Sequence, residues 1–166
     1  MTEGQRILDQ YDRAMHGAAW HGDAIWQILD GISAERVALR PIANAHSIWE
    51  IVGHMAFWEG VAARRLGGLP AGREEERNFP ATPDEEDRNF PAAPEATEVN
   101  WQKTLDQFRA SNQAFREALQ ELSPARLDDL SAAGKRSFYD EAHGLIEHNV
   151  YHAGQIALLA KAANQS

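Results

Sequence analysis

The chain has 166 residues, of which 43% are hydrophobic, and its formal net charge is −9. This length and composition predict one folded domain over residues 1–166 with a substantial apolar core. The acidic balance argues against a nucleic-acid partner, because phosphates would on average be repelled. The absence of cysteine excludes disulfides, thiolate metal ligands and a cysteine nucleophile.

The sequence carries no obvious membrane or export signal. No apolar run approaches the ~18 to 20 residues that a membrane span needs. The first ten residues, MTEGQRILDQ, lack the basic and apolar regions of a signal peptide. We therefore expect no membrane partner and a cytoplasmic location.

Helical periodicity begins in a segment over about residues 4–30, where apolar side chains recur at steps of three and four. Gly17 and Gly22 are predicted to bend or break this segment. A short helical turn over residues 33–37 follows, and Pro41 and Asn44 indicate a loop.

The second long helix is predicted over residues 47–66, with Gly67 and Gly68 as its stop. Residues at steps of three and four share its central face: Ile51, His54, Trp58 and Val61. The remaining faces are also largely apolar, which predicts an interior helix or one with a face in a subunit interface.

Residues 70–97 are predicted to form a long Pro-rich loop, since five of the seven prolines lie there. The run RNFPATP at 77–83 recurs as RNFPAAP at 88–94, eleven residues later. Two copies fall short of the roughly three that a repeat array needs. The loop is either a tolerant segment that was duplicated, or a lid whose Phe79 or Phe90 covers a pocket or a partner.

The third helix is predicted over residues 98–122, from a seam of alternating steps of three and four. Its members are Trp101, Leu105, Phe108, Asn112, Phe115, Leu119 and Leu122. Asn112 is the polar member, and either sets the register of packing or lines a polar site in the core. A short connecting helix over 123–129, capped by Ser123, should follow.

The fourth helix is predicted over residues 137–162, where Ser137-x-x-Asp140 resembles a capping box. No segment alternates with period two over a useful length, and residues 130–136 are at most extended. The sequence therefore predicts an all-α, up-and-down four-helix bundle with the Pro-rich loop between the second and third helices.

Three histidines lie within the apolar stripes of two helices. His54 is central in the second helix, while His148 and His152, four residues apart and so about 40° apart around a helix, lie in the fourth. Buried imidazoles need partners, and three that converge can hold a divalent metal with an open position. His54, His148 and His152 are the predicted metal ligands; the alternative is a metal-free bundle with hydrogen-bonded core histidines.

Four further histidines are expected to be solvated or structural: His16, His21, His46 and His143. Of these, His46 is also a candidate outer ligand, because it precedes the second helix directly. Glu50 lies one turn before His54 and is either a partner that orients an imidazole or a surface carboxylate. Asn149 stands where the H-E-x-x-H pattern has its glutamate, which argues against a zincin-type metalloprotease.

Two segments, AHSIWEIVGH at 45–54 and GLIEHNVYHAGQI at 144–156, resemble the signature segments of the DinB/YfiT-like metalloenzyme family. The order of elements is also similar, so the resemblance covers essentially the whole chain. It implies a four-helix bundle, frequently a homodimer, with Zn or Ni on three histidines that match His54, His148 and His152, and water in the remaining positions. The duplicated loop departs from the family pattern.

The resemblance also implies a range of activities: thiol-dependent S-transfer, thiol-dependent maleylpyruvate isomerisation and metal-dependent hydrolysis. It does not imply DNA binding. An enzyme here would use a metal-activated water or a low-molecular-weight thiol from solution, because the sequence offers no clear general base and no cysteine. The alternative is a non-catalytic metal-binding, stress-related dimerisation domain. A closed site with a fourth protein ligand such as His46 would favour this alternative.

Overall fold

The structure, a computed structural model, describes residues 1–69, 92–131 and 135–163. Within these ranges the chain is helical: α1 Glu3–His16, α2 Ile25–Leu29, α3 Ala34–Ala38, α4 Ile48–Leu66, α5 Glu98–Glu121, a 3₁₀ turn Pro124–Arg126, and α6 Phe138–Ala162. An isolated antiparallel bridge joins Leu130 to Ser137. No helix in the described part of the chain combines the length and the apolar character of a membrane span.

Most of the predicted Pro-rich loop, including the first copy of the duplicated run and both Phe79 and Phe90, lies outside the described residues. The two interpretations of that loop, a tolerant insertion or a lid, therefore stay predictions. The second copy of the run enters the described chain at residue 92, six positions before α5 begins.

The starts of the long helices are set by local side-chain chemistry. Capping boxes begin α1 at Thr2, α4 at Ser47 and α6 at Ser137. At Ser137 the hydroxyl accepts a hydrogen bond from the backbone N–H of Asp140 at 3.0 Å, which confirms the predicted start. Each box satisfies two backbone donors that a helix end would otherwise leave without a partner.

The segment over residues 4–30, predicted as one interrupted helix, forms two separate helices. α1 ends at His16, and the backbone N–H of Gly17 closes it by donating to the carbonyl of Arg13 at 3.2 Å. Gly17 has φ +146°, a conformation that residues with a side chain rarely adopt. The chain therefore breaks at Gly17, as predicted, and resumes as α2 at Ile25.

The apolar faces of the four long helices pack on one another. α4 lies against α5 and α6, and α1 also contacts both of these helices. The predicted seam of α5 is confirmed, since its members are buried except for the half-buried Leu105. Tyr11 from α1 meets Phe115 with ring centroids 4.8 Å apart. Each large apolar side chain buried in this way stabilises the fold by roughly 1.5–3 kcal/mol.

The connection after α5 is shorter than predicted. The 3₁₀ turn covers only Pro124–Arg126, and Ser123 makes no side-chain cap. Beyond it, the N–H of Ser131 donates to the carbonyl of Arg136 at 2.8 Å, which forms the isolated bridge in the segment predicted to be extended. This local pairing lies directly before the start of α6.

Candidate metal centre

The three histidines singled out in the sequence come together between α4 and α6. Nε2 of His54 lies 2.9 Å from Nε2 of His148, and Nε2 of His152 lies 3.2 Å from the same atom. One nitrogen from each ring lies within 4.8 Å of the others. The i, i+4 spacing on α6 places two of the rings side by side, and the packing of α4 brings the third.

Burial keeps two of these imidazoles neutral, those of His148 and His152. His54 and His152 are 7% and 4% exposed, and His148 is half-buried. Burial lowers the pKa of His148, and burial together with the neighbouring His148 lowers the pKa of His152 to about 3. Because a metal ligand must be a deprotonated imidazole, the protein already holds these two rings in the form that binds a cation at neutral pH.

The outer ring nitrogens have amide partners. Nδ1 of His152 lies 2.6 Å from Oε1 of Gln155, and Nδ1 of His148 lies 3.4 Å from Oδ1 of Asn149. An amide oxygen accepts, so both Nδ1 atoms carry the hydrogen and donate it. Both Nε2 atoms are then left with lone pairs.

The cluster therefore contains two lone pairs that face one another at 3.2 Å, on His148 and His152. Two acceptors at this distance repel unless a positive charge lies between them. Nitrogens that share a tetrahedral zinc at about 2.0–2.1 Å stand about 3.3 Å apart. The pair formed by His148 and His152 therefore fits a cation in both its chemistry and its spacing.

Gln155 was not predicted as a site residue. Its position, three residues after His152 on α6, places its side chain one turn further along the same helix. That spacing was visible in the sequence and could have indicated a partner for the imidazole.

A buried carboxylate lies behind the histidines. Glu59 on α4 is fully buried and accepts hydrogen bonds from the hydroxyl of Tyr11 at 2.9 Å, Nδ2 of Asn149 at 2.7 Å and the hydroxyl of Ser111 at 3.2 Å. Nδ2 of Asn112 also donates to it. Burial raises the pKa of Glu59 to about 7, against the lowering effect of these donors.

The sequence contained a signal for Glu59 that was missed. Counting along α4, position 59 falls four residues after Met55 and seven after Val52, so a single carboxylate interrupts an apolar stripe. The related prediction for Asn112, a polar core site, is confirmed: its amide donates to Glu59 while its oxygen accepts from Nε1 of Trp26 at 3.0 Å.

Glu50 has a different role from either prediction. It is 6% exposed, so a surface carboxylate is wrong. Its carboxylate accepts from the N–H and the hydroxyl of Ser47 at 2.8 and 2.9 Å, and from Arg40 at 2.5 Å. These contacts cap α4 and pair the charge, and they lower the pKa of Glu50 despite its burial.

Three of the four remaining histidines lie apart from the cluster, as predicted. His16 and His21 are exposed, and His143 stacks on Tyr139 with ring centroids 4.3 Å apart. His46 is closer: its Nδ1 is 3.9 Å from the carboxylate of Glu50 on α4, the helix that also carries His54.

Aromatic rings border the cluster. Trp58 lies edge-on to His54 with centroids 6.4 Å apart, and Tyr151 lies edge-on to His152 at 5.2 Å. Tyr151 is 65% exposed, so the rim of the site on α6 reaches solvent.

The profile of the DinB superfamily matches residues 18–156, a span that includes all three clustered histidines. The chain therefore belongs to the DinB superfamily, which confirms the family suggested by the sequence segments. Searches of curated proteins and of solved structures find no match.

Proposed function

We propose that this DinB-superfamily protein binds one divalent ion, Zn or Ni, through Nε2 of His54, His148 and His152. The observation that carries the proposal is the distance of 3.2 Å between Nε2 of His148 and Nε2 of His152. Nδ1 of each of these rings lies beside an amide oxygen, which leaves the Nε2 atoms as the donors for a metal. A site of three imidazoles leaves coordination positions open, as catalytic zinc sites do.

The proposed activity is metal-dependent S-transfer or hydrolysis. A divalent ion keeps its full positive charge when its three ligands are neutral, and this charge can activate water or a thiol. Any thiol must come from solution, since the chain has no cysteine. The residues of this chain contribute the neutral donors, the amides that orient them and the aromatic rim formed by Trp58 and Tyr151.

A non-catalytic metal-binding role is the second candidate, and the position of His46 favours it. This histidine directly precedes α4, which carries His54, and its Nδ1 lies 3.9 Å from the carboxylate of Glu50 on that helix. If His46 were a fourth ligand, the site would be closed and the ion would join helices rather than activate a substrate.

The assembly proposed around this site is a single domain over residues 1–166 in which α1, α4, α5 and α6 form an up-and-down four-helix bundle. We also propose a homodimer of cytoplasmic location that has no nucleic-acid partner. The packing of the four long helices supports the bundle, and the net charge of −9 disfavours binding to phosphates. The exposed Tyr151 and Leu158 on α6 offer apolar surface to a second copy.

The decisive experiment is metal analysis of matched variants. Protein purified with added Zn²⁺ or Ni²⁺ should carry about one ion per chain, and His148→Ala should abolish this. His143→Ala is the control, since it removes an imidazole from the same helix that stacks on Tyr139 instead. Metal-free wild-type protein, or equal loss in both variants, would overturn the proposal.

Cobalt substitution of the same purified protein distinguishes the catalytic from the non-catalytic role. Replacement of the ion by Co²⁺ gives a spectrum that reports coordination number and changes when an added thiol binds. A thiol-dependent change, unaffected by His46→Ala, supports the open site. A spectrum insensitive to thiols that collapses in His46→Ala supports the closed one.

A further inference from the structure

We infer that Glu59, acting through Asn149, is a positioning residue that fixes the tautomer of His148 and so aims its Nε2 lone pair into the histidine cluster. The consequence for metal affinity depends on the proposed function, whereas the consequence for the tautomer does not. The inference stands on a chain of two hydrogen bonds that runs from the core of the protein to the site.

The first link fixes the orientation of Asn149. Its Nδ2 lies 2.7 Å from Oε1 of Glu59, and the residue is fully buried. An ionised carboxylate accepts hydrogen bonds and donates none, so it can pair only with the nitrogen end of the amide. Turning the amide over would place two acceptors in contact inside the core, which is strongly unfavourable because neither could be hydrogen-bonded there.

The second link passes this orientation to the histidine. With Nδ2 directed at Glu59, Oδ1 of Asn149 faces Nδ1 of His148 at 3.4 Å. An oxygen there accepts from an N–H, so the ring is held with its hydrogen on Nδ1. A turned amide would present an N–H to Nδ1 and would favour the tautomer that carries its hydrogen on Nε2.

His148 is the ring for which this choice matters most. Its Nε2 is the central atom of the cluster, 2.9 Å from that of His54 and 3.2 Å from that of His152. A hydrogen on this atom would occupy the space in which the three nitrogens converge. Partners that orient a ligand imidazole in this way typically change metal affinity by 10–100-fold when they are lost.

Glu59 itself is held by groups that do not reach the site. Tyr11, Ser111 and Asn112 donate to the same carboxylate from α1 and α5. The side chain of Glu59 therefore has little freedom to turn, and the orientation that it imposes on the amide of Asn149 is fixed as well. Removal of one of these other donors tests whether loss of any bond in the network has the same effect.

The test compares Glu59→Gln with Tyr11→Phe by long-range ¹H–¹⁵N NMR of the metal-free protein at pH 8, above the pKa of Glu59. In the wild type, Nδ1 of His148 should be protonated and Nε2 bare. In Glu59→Gln, whose amide can donate to Asn149, the spectrum should shift towards the other tautomer. Tyr11→Phe removes a bond of 2.9 Å to the same carboxylate and should keep the wild-type pattern.

Zn²⁺ affinity, measured by competition with a chelator, provides the second readout. Glu59→Gln should weaken binding by about 10–100-fold, and Tyr11→Phe by less than about twofold. Asn149→Ala removes the acceptor for Nδ1 directly and should reproduce the effect of Glu59→Gln, which keeps the test valid if one variant does not fold.

Two results would overturn the inference: an Nε2-protonated His148 in the wild type, or the same tautomer in Glu59→Gln as in Tyr11→Phe. Wild-type protein that binds no Zn²⁺ but shows the Nδ1 tautomer, lost in Glu59→Gln, would leave the positioning role intact and reject the metal site. The two failures are therefore distinguishable.

Discussion

The hydroxyl of Tyr11 lies 2.9 Å from the carboxylate of Glu59, 48 positions further along the chain, at the level where all four long helices meet. The same carboxylate also accepts hydrogen bonds from side chains of α5 and α6. Burial of an ionised carboxylate is costly unless it is fully hydrogen-bonded. Burial, together with this contact, raises the pKa of Tyr11. A single side chain thus links the core of the helices to the histidine cluster.

Glu59 should make the metal-free protein less stable as the pH rises from about 4.5 to 7. Its pKa is raised from 4.5 to about 7 in the folded state, so the folded state binds the proton more tightly than the unfolded one. Stability from this group is complete below pH 4.5 and is lost as the pH passes 7, by about 3 kcal/mol in total. Urea unfolding of wild type and Glu59→Gln at pH 4.5 and 8 measures the difference.

The comparison with Glu59→Gln is needed because buried histidines act in the opposite direction over part of this range. The glutamine does not titrate, so the wild type should lose stability relative to the variant between the two pH values. A constant difference between the two proteins would show that Glu59 has an ordinary pKa.

His152 should make the metal-free protein less stable in acid. Its pKa falls from 6.5 to about 3 on folding, so the unfolded state binds the proton more tightly. Stability from this group is complete above pH 6.5 and is lost as the pH falls towards 3. We expect His152→Gln to unfold with a smaller dependence on pH between 6.5 and 4 than the wild type. His21→Gln, at an exposed position, is the control and should keep the wild-type slope.

Arg65 and Glu141 form a buried ion pair whose separation should be costly. Nη1 of Arg65 lies 2.9 Å from Oε2 of Glu141, and the side chains are 12% and 6% exposed. Arg65→Met leaves the carboxylate with Ser131 and should cost about 3–5 kcal/mol, because a buried charge then lacks its partner. Thermal or urea unfolding gives the value.

Two further variants test this explanation. The double change Arg65→Met with Glu141→Leu should recover most of the loss, since no buried charge is left. Asp106→Asn breaks the exposed pair with Arg109 and should cost less than about 1 kcal/mol. Equal losses at the buried and exposed pairs would contradict the role assigned to burial.

Ser47 should stabilise α4 through its capping box. The buried hydroxyl accepts from the N–H of Glu50 at 3.2 Å and donates to its carboxylate at 2.9 Å. Ser47→Ala should cost about 0.5–2 kcal/mol in the free energy of unfolding. Ser33→Ala is a matched control, because Ser33 precedes α3 without a side-chain cap and its loss should cost less. The reverse order of the two effects would rule out the cap as the cause.

The bounds of the long helices were largely predictable from the sequence. The start at Ser137, the end of α4 at Gly67 and the break at Gly17 all depend on hydrogen bonds and backbone conformations within four residues. The pairing of His148 with His152 is local for the same reason, since one turn of helix separates them.

The position of His54 was predicted less directly, from its place at the centre of an apolar stripe. A stripe indicates which face of a helix is buried, and the structure then brings this ring within 2.9 Å of His148, 94 positions away. Glu50 shows the limit of such reasoning. Its spacing from His54 fitted an orienting role, but Arg40, in the preceding loop, takes the carboxylate instead.

By itself, then, the sequence determined the helices, their buried faces and the three imidazoles, because these depend on periodicity and on contacts within a turn. Only the tertiary structure decided that Glu59 would meet Tyr11, Asn112 and Asn149, and that Asn149 would turn its oxygen to His148. The physical reason is that these bonds join separate helices, so they depend on how the helices are rotated and displaced against one another. That arrangement follows from the packing of the whole core and not from any short segment of the chain.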